Sequence, residues 1–362
     1  MNRIRFTSAG LCLLAVLLVL VGPLVAAPPR YVFQDLGVPP NCDSSQAYAV
    51  NNAGQVAGFG TQAYPLPIYD RAFLKNYGQP MQDLGTLGGN YAMAEGINNA
   101  GQVVGWSELD PDSQKEHAFL KNPGQPMQDL GTLGGAKSRA YGLNDAGQVV
   151  GSTQGTLFSS HAFLKKPGQL MEDLSTLGGN VSEARGINNT GQIVGVSQII
   201  GGRYHAFLKN PGQPMEDLDT MGGGTTSTAK AINGAGQIVG SGDIAPGLNR
   251  GFLKNPGEPM QALPILDKFQ NTGAESINQT GQIVGAANLA ADPLQLHAVL
   301  WDHGVMYDLN DVTVNLPPGI VLENAYGIND RGWIVGQASN YQAYLLIPRG
   351  GASPAIQLLL LD

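Results

Sequence analysis

Short apolar runs alternate with polar turn residues along almost the whole chain. Four such blocks recur in a fixed order: Ala-x-Gly-Ile-Asn-x-x-Gly, Gln-Val-Val-Gly, His-Ala-Phe-Leu-Lys and Pro-Met-Gln-Asp-Leu-Gly, as in residues 94–131. Runs of this length are typical of strands, and the 3.6-residue apolar period of helices does not occur. The pattern therefore predicts an all-β protein built from one repeated unit.

The unit occurs seven times, and its first block supplies one asparagine to each copy. Successive asparagines are 44 to 51 residues apart. Four antiparallel strands repeated at this interval are typical of a β-propeller. We expect structural roles for the repeated asparagines, which are Asn51, Asn98, Asn144, Asn188, Asn233, Asn278 and Asn329.

Two turn motifs connect the blocks within a unit. Asn-x-x-Gly, as in Asn98–Gly101, suits a turn that ends in a left-handed residue, because glycine adopts a positive φ without strain. In Asn-Pro-Gly, as in Asn122–Gly124, proline fixes one φ angle and glycine supplies the positive φ that follows. Both motifs predict tight hairpins.

The two ends of the repeat region carry complementary fragments of the unit. The region begins with block four (Tyr31–Gly37), and its last unit ends at block three (Ala343–Leu346). We therefore predict a seven-bladed propeller of four-stranded antiparallel blades, closed by pairing of the N-terminal strand with the C-terminal blade. Block one is expected innermost, because its Ala and Gly suit a crowded channel. The alternative places block three innermost, and closure would then require a one-plus-three division of the strands between the two ends of the chain.

The N-terminus has the pattern of a secretory leader. Arg3 and Arg5 precede the apolar run Leu11–Val25, and small residues follow at Ala26 and Ala27. We predict secretion to the exterior or the periplasm with cleavage near Ala26; the alternative is an uncleaved membrane anchor. The chain then divides into a signal peptide (1–26), a propeller (31–348) and a C-terminal tail (349–362).

Composition and charge restrict the partners. Hydrophobic residues make up 43% of the chain, charged residues only 13%, and the net charge is −8. No basic run occurs, which argues against nucleic acid as a partner. Cys42 has no second cysteine once the leader is removed, so no disulfide is expected within the chain. We expect the mature chain to be a monomer without an integral membrane span.

The blocks resemble a known family of repeats. His-Ala-Phe-Leu (His117–Leu120), Asp-Leu-Gly-Thr-Leu-Gly-Gly (Asp129–Gly135) and Gly-Ile-Asn-x-x-Gly-Gln-Val-Val-Gly are similar to the HAF repeat, a family of extracellular repeats in bacteria. The resemblance covers nearly the whole mature chain, with departures such as Ala262 in block four and Trp333 in block two. It implies secretion or a surface location and carries over no biochemical activity.

The repeated histidines suggest a metal site, but their spacing argues against one. Equivalent positions on separate blades lie too far apart to share one ion, whose nitrogen ligands stand about 2 Å from it. The Asn-x-x-Gly turns carry at most one carboxylate each, too few for calcium. We therefore predict no metal and no cofactor, and structural roles within their own blades for the histidines, which are His117, His161, His205 and His297.

The repeat units differ from one another mainly in the connections between blocks two and three, such as residues 106–116 and 196–204. Variable loops on one face of a uniform fold are a frequent location of binding specificity. We predict binding residues in these loops, namely Tyr64, Tyr69, Trp106, Asp110, Asp112, Phe158 and Tyr204.

No nucleophile elbow, catalytic triad or paired-carboxylate motif occurs in the sequence, which favours a non-enzymatic role. The preferred hypothesis is a secreted binding scaffold for an extracellular protein or glycan. One alternative is a polysaccharide hydrolase or lyase, which requires polar side chains from several blades to meet at the channel mouth. Another is an inert extracellular matrix or coat component.

Overall fold

The computed structural model describes residues 28–63, 68–113, 115–155 and 159–350. The predicted leader, the loop residues Tyr64 and Phe158 and almost all of the predicted tail lie outside these ranges. Strands dominate the described residues, which contain one short helix, α1 (Leu309–Val312). The fold is all-β.

After the first strand, β1 (Tyr31–Gly37), the strands follow in groups of four, one group per unit. The groups are β2 Ser44–Val50, β3 Val56–Gln62, β4 Tyr69–Lys75 and β5 Met81–Asp83; β6 Ala92–Ile97, β7 Val103–Glu108, β8 Glu116–Lys121 and β9 Met127–Asp129; β10 Ser138–Leu143, β11 Val149–Gln154, β12 Ser160–Lys165 and β13 Met171–Asp173; β14 Gly178–Ile187, β15 Ile193–Ile199, β16 Tyr204–Lys209 and β17 Met215–Asp217; β18 Ser227–Ile232, β19 Ile238–Ala245, β20 Leu248–Lys254 and β21 Gln261–Ala262; β22 Phe269–Ile277, β23 Ile283–Leu289, β24 Leu296–Asp302 and β25 Val305–Asp308. The last strands are β26 Thr313–Val314, β27 Leu322–Ile328, β28 Ile334–Ala338 and β29 Ala343–Pro348.

Each group pairs its strands in chain order and antiparallel, as in the sheet β6-β7-β8-β9. The sheets β10–β13 and β14–β17 also touch through one parallel bridge, Ser160 to Val181. The sheet at the end of the chain has the order β26-β1-β29-β28-β27. In it, β1 is antiparallel to β29, with Tyr31 opposite Pro348, and parallel to the extra strand β26.

A repeated glycine–phenylalanine pair explains how the middle strands pack. In the third unit, Gly151 lies opposite Phe163, whose side chain is fully buried. A Cβ atom on Gly151 would lie 1.9 Å from the carbonyl oxygen of Arg139 and 2.8 Å from the ring of Phe163. Glycine is required here because the neighbouring main chain and the ring fill the space.

The turns after the first strand of each sheet have the predicted form. In the turn at Asn98, the N–H of Gly101 donates to the Asn98 carbonyl at 3.0 Å, and Gly101 has a φ of 75°. The Asn98 side-chain oxygen accepts from the N–H groups of Ala100 and Gln102 at 3.1 and 2.9 Å. The prediction of a tight hairpin is confirmed at this site.

The repeated asparagines also join each sheet to the next; we call them the asparagine set, and they are those given above. The Nδ2 of Asn98 donates to the carbonyl oxygen of Asn144 at 3.0 Å, and the other members repeat this bond along the chain. The Nδ2 of Asn329 donates to the carbonyl oxygen of Asn51 at 2.8 Å. The set therefore links the last sheet to the first.

Candidate binding site

The first strand of each unit has a β-bulge at an equivalent position, and β14, β22 and β27 have a second register shift nearer their start. In β6 the register shifts between Ala94 and Gly96, so that Glu95 has no partner in β7. Bulges turn a side chain away from the regular alternation of a strand and are frequent next to functional sites. The equivalent residues, which we call the bulge set, are Tyr48, Glu95, Tyr141, Arg185, Lys230, Glu275 and Tyr326.

The bulge set lines one cavity of about 480 Å³, which we call the shared cavity. Six members of the asparagine set, all except Asn233, also line it, as does the residue after each of the seven asparagines. Most of these following residues, such as Asn99 and Asp145, are exposed at its rim. Unlike polar and aromatic side chains therefore line the cavity, together with small residues of the first strands. The small residues have another role: a Cβ on Gly142 would lie 2.9 Å from the Arg185 carbonyl oxygen of the next sheet.

Charged members of the bulge set form ion pairs beside the cavity. The Lys230 ammonium lies 3.0 Å from a carboxylate oxygen of Glu275, on the neighbouring sheet. An Nη atom of Arg185 lies 2.7 Å from Glu183, and the guanidinium stands 5.3 Å from the centre of the Tyr141 ring. Within the described residues, the Nε of Arg185 is buried and donates to no acceptor.

Tyrosines form another part of the cavity wall. The rings of Tyr48 and Tyr326 meet edge to face with centroids 5.0 Å apart. Burial, together with the charges of Glu275 and Glu323, raises the pKa of Tyr326 to about 12. The pKa of Tyr48 is raised as well, by burial and then by Glu95. Both phenols therefore stay protonated at neutral pH, and the Tyr48 hydroxyl donates a hydrogen bond to the Oε1 of Gln46 at 3.1 Å.

Glu95 has the most perturbed carboxyl of the cavity. Burial raises its pKa, although the positive charges of Arg139, Arg185 and Lys230 oppose the shift, as does a hydrogen bond with Trp106. Carboxyls with raised pKa values in cavities are frequent at functional sites because they can exchange a proton near neutral pH. Glu95 can therefore serve as a hydrogen-bond acceptor and as a proton donor.

The environment of Trp106 contradicts its prediction as an exposed loop anchor. It lies on β7, opposite Ala118, with only 8% of its surface exposed. The guanidinium of Arg139, from the next unit, stands 4.4 Å from the centre of the indole and covers it. Trp106 thus acts behind the cavity wall, since its side chain contacts Glu95 and not solvent.

The other loop predictions fall at separate places. Tyr69 is the first residue of β4, half-buried, with the Arg71 guanidinium 5.1 Å from its ring centre. Tyr204 begins β16 and is 39% exposed. Asp110 and Asp112 are exposed in the turn between β7 and β8, at the strand ends opposite the asparagine turns. Tyr64 and Phe158 lie outside the described residues.

Each repeated histidine contacts an aspartate on the fourth strand of its own sheet. The Nδ1 of His117 lies 2.9 Å from Asp129, and the Nδ1 of His297 lies 2.6 Å from the buried Asp308. His161 and His205 form the same contacts with Asp173 and Asp217. No cluster of three or more metal-ligating side chains occurs in the part of the chain that the structure describes.

Known proteins are similar to this chain in fold. Neither a protein-family model nor a curated protein sequence matches it. Its fold is similar to that of the β-propeller domain of the Trilobed protease from Pyrococcus furiosus, a domain with an open Velcro topology. The TM-score is 0.58 at 11% identity, over 90% of this chain and 100% of that one.

Two further solved structures share this similarity. The BP39L lectin from Burkholderia pseudomallei gives a TM-score of 0.51 at 8% identity, over 90% of this chain and 97% of the lectin. Virginiamycin B lyase from Staphylococcus aureus gives 0.51 at 10% identity, over 88% of this chain and 99% of the lyase. Likeness at such low identity shows the fold alone. The chain is an all-β protein with a β-propeller fold.

Proposed function

We propose that the sheets are the seven blades of a closed propeller spanning 31–348. The pairing of β1 with β29 supports closure, because it adds the first strand of the chain to its last sheet. The bond from Asn329 to Asn51 supports it too, since it repeats between the last and first sheets a contact made between all other neighbours. Trp333, which packs between the same two sheets against Tyr77, adds an apolar contact.

We also propose that this propeller is a secreted protein of the HAF repeat family, released by cleavage near Ala26. The leader pattern and the repeated blocks support this proposal. In the part of the chain that the structure describes, no helix has the length and apolar character needed to cross a bilayer. Mass spectrometry of the N-terminus of the protein recovered outside the cytoplasm tests it: a chain that still begins at Met1 would contradict cleavage.

The function we propose is that of a non-enzymatic binding scaffold for an extracellular glycan or protein. One observation carries this proposal: seven equivalent positions on a uniform fold hold unlike side chains, and all of them face the shared cavity. A uniform polar lining would serve packing alone. Different donors, acceptors and aromatic rings gathered in one cavity are typical of ligand sites.

The loops between the second and third strands remain a second proposed surface. The exposed Tyr204, Asp110 and Asp112 support it, although Trp106 does not belong to it. These loops lie at the strand ends opposite the asparagine turns, so the two surfaces can be tested separately.

A binding screen against a glycan array and a surface proteome tests the scaffold function. The chain without its leader is compared with a cavity variant, Lys230→Ala/Glu275→Ala, which removes both partners of an ion pair, and with a loop variant, Tyr204→Ala. We expect the cavity variant to lose capture of the partner by about tenfold or more. Loss in the loop variant alone would place recognition on the loops, and no capture by the unmodified chain would contradict the scaffold function.

A polysaccharide hydrolase or lyase is the second candidate, and one observation favours it. Such an enzyme requires polar side chains of several blades to meet in one cavity. Glu95 and Glu275 both line the shared cavity. The raised pKa of Glu95 suits a general acid. Measuring the release of reducing ends or unsaturated sugars from bacterial polysaccharides by the chain and by Glu95→Gln tests it, because an enzyme would lose its activity in the variant.

A further inference from the structure

We propose that copies of this chain associate head to tail, with the loop face of one copy on the turn face of the next. The turn face is the side of the molecule where the sheets carry the turns between their first and second strands and between their third and fourth strands. The loop face is the opposite side, with the connections between second and third strands and between successive sheets. The inference goes beyond the proposed scaffold function and differs from the monomer expected from composition.

The two kinds of turn lie together in the structure. The Nε2 of Gln102, in the turn after β6, donates to the Oδ1 of Asn122, in the turn after β8, at 2.6 Å. The same bond recurs in three other sheets. The asparagine set then joins the first turn of each sheet to that of the next. The turns therefore share one face of the molecule, and the loops share the other.

Cations predominate at the turn face. The last residue of the third strand is a lysine in five sheets, and we call these residues the lysine set: Lys75, Lys121, Lys165, Lys209 and Lys254. The ammonium of Lys75 donates to the carbonyl oxygen of Gln79 at 2.8 Å. An ammonium has three donors, so each lysine can also bond a partner. The same face carries Arg30, Lys166, Arg331 and Arg349. Its carboxylates are fewer, namely Asp145, Glu258, Asp302 and Asp330.

Carboxylates predominate at the loop face. Lys137 and Lys268 already form ion pairs with carboxylates of this face, at ammonium-to-carboxylate distances of 2.8 and 2.7 Å. The other cations in the described connections of this face are Lys115 and Arg203. Six exposed aspartates lie in the same connections, and we call them the aspartate set: Asp43, Asp110, Asp112, Asp219, Asp267 and Asp292. The two faces are therefore complementary in charge.

Exposed apolar side chains are also confined to these two faces. Eight large hydrophobic side chains are exposed in the described residues, and none of them lies on the sides of the sheets. At the loop face they are Ile68, Ile200, Tyr204, Leu294 and Tyr341. At the turn face they are Tyr77, Leu170 and Val305. Protein interfaces combine apolar contacts with complementary charges, so the two faces suit association better than the sides do.

The contact that we propose joins unlike surfaces. Each copy uses its loop face on one neighbour and its turn face on another, and the assembly always keeps one free face of each kind. Because the two faces point in opposite directions, copies add in a column and do not stop at two. Contacts between two like faces would bring equal charges together, which is unfavourable.

Sedimentation velocity of the chain without its leader tests the association. The chain is measured at about 100 μM in about 10 mM and about 1 M sodium chloride, between which the Debye length falls from about 30 to 3 Å. We expect assemblies of more than two chains at the lower salt concentration and mainly single chains at the higher one. Single chains under both conditions, or association that increases with salt, would overturn the inference.

Two variants distinguish a head-to-tail contact from a contact between like faces. The turn variant removes three charges of the lysine set: Lys121→Gln, Lys209→Gln and Lys254→Gln. The loop variant removes three charges of the aspartate set: Asp112→Asn, Asp267→Asn and Asp292→Asn. These changes nearly preserve side-chain size, and thermal unfolding midpoints check that both variants fold. At about 10 mM salt, we expect each variant alone to associate about tenfold more weakly than the unmodified chain.

An equimolar mixture of the two variants gives the sharpest result. The turn variant keeps its loop face and the loop variant keeps its turn face, so we expect pairs of unlike chains and no longer assemblies. The control is Glu172→Gln/Glu216→Gln, on exposed fourth strands at the sides, which should associate like the unmodified chain. Unchanged association in either variant, or a mixture that behaves as the sum of its parts, would overturn the inference. Capture of a glycan or protein partner is measured separately, and neither result decides the other.

Discussion

The bulge set lies on the first strands and the asparagine set three residues later, in the turns that follow them, yet the two sets differ completely in composition. Every member of the asparagine set is the same residue, whereas the bulge set contains tyrosine, glutamate, arginine and lysine. Asn98, directly after β6, bonds main-chain groups of its own turn and of the next sheet. Glu95 has no partner in β7 and faces the shared cavity.

The difference shows how one strand and the turn after it can supply both the residues that stabilise the fold and the residues that line the candidate site. A side chain that bonds the main chain must keep its shape and its donors, because any change leaves buried polar groups unpaired. A side chain at a bulge does not take part in the regular packing between strands, so its chemistry can vary without loss of the fold. The bulge therefore separates recognition from stability over a few residues.

Asn98→Ala should have the largest effect, because it removes one member of the asparagine set. The variant loses two donated and two accepted hydrogen bonds, and the N–H groups of Ala100 and Gln102 lose the side-chain oxygen to which they donate. We expect the free energy of unfolding to fall by about 2–4 kcal/mol, measured by urea denaturation. Asn99→Ala, at the exposed neighbouring position, should cost less than about 1 kcal/mol. Equal losses would show that the asparagine set is not specialised.

Trp333→Gln should have the next largest effect. It restores the residue that most other units hold at this position, but it removes a buried indole that packs against Tyr77 and the turn glycine Gly54 of the first sheet. We expect a loss of about 2–3 kcal/mol in thermal or urea unfolding. The matched control is Gln282→Ala, at the equivalent position of the preceding unit, for which we expect about 1 kcal/mol. A smaller loss at Trp333 than at Gln282 would argue against a specialised contact between the last and first sheets.

Glu95→Gln should change the pH dependence of stability more than stability itself. Burial raises the pKa of Glu95 above its usual value of 4.5, so the folded state holds this proton at pH values where the unfolded chain has lost it. The stability that the proton contributes is complete below the unfolded pKa and is lost as pH rises through the folded pKa.

Glutamine carries no such proton. The free energy of unfolding of the variant, relative to that of the unmodified protein, should therefore increase as the pH rises above 4.5, the usual pKa of a glutamate. Urea titrations at several pH values measure this difference. A flat difference for Glu95→Gln would contradict the burial of its carboxyl.

Gly234→Asn should have the smallest effect, a gain. The residue after each asparagine accepts a main-chain N–H from the preceding unit, as Asn99 does from Asn52, but Gly234 has no side chain to do this. A Cβ at this position would meet only the flexible end of Gln279. We expect about 0.5 kcal/mol of added stability in thermal unfolding and none for Ala235→Asn, one residue further on. A loss in Gly234→Asn would show that the Gln279 contact matters more.

Much of the fold could be predicted from the sequence because its signals are local and repeated. The turn at Asn98–Gly101 combines a side chain that bonds nearby N–H groups with a glycine at positive φ, and the structure has both. Block spacing also indicated which strands share a sheet. The short strand β26 could not be predicted, since the 51-residue interval of the last unit revealed an insertion but not its pairing with β1.

The candidate site was harder to predict, because its equivalent positions hold different residue types in different units. A signal was present: position x of Ala-x-Gly-Ile-Asn is large and polar or aromatic in every unit, between two small residues. Without the bulge, this position would be assigned to the face of a strand that packs on the next sheet. The burial of Trp106 could not be predicted either, because Arg139, which covers it, belongs to the following unit.

The pairing of β1 with β29 has a consequence for how the molecule is held. The carbonyl oxygen of Arg30 accepts a hydrogen bond from the N–H of Arg349 at 2.6 Å, so the two ends of the described fold lie side by side on one sheet. An attachment at either end of the described fold would therefore be made at the same sheet, and the faces of the molecule would stay accessible. For the same reason, a circularly permuted gene that joins these ends by a short linker and opens an Asn-Pro-Gly turn should still encode the native fold.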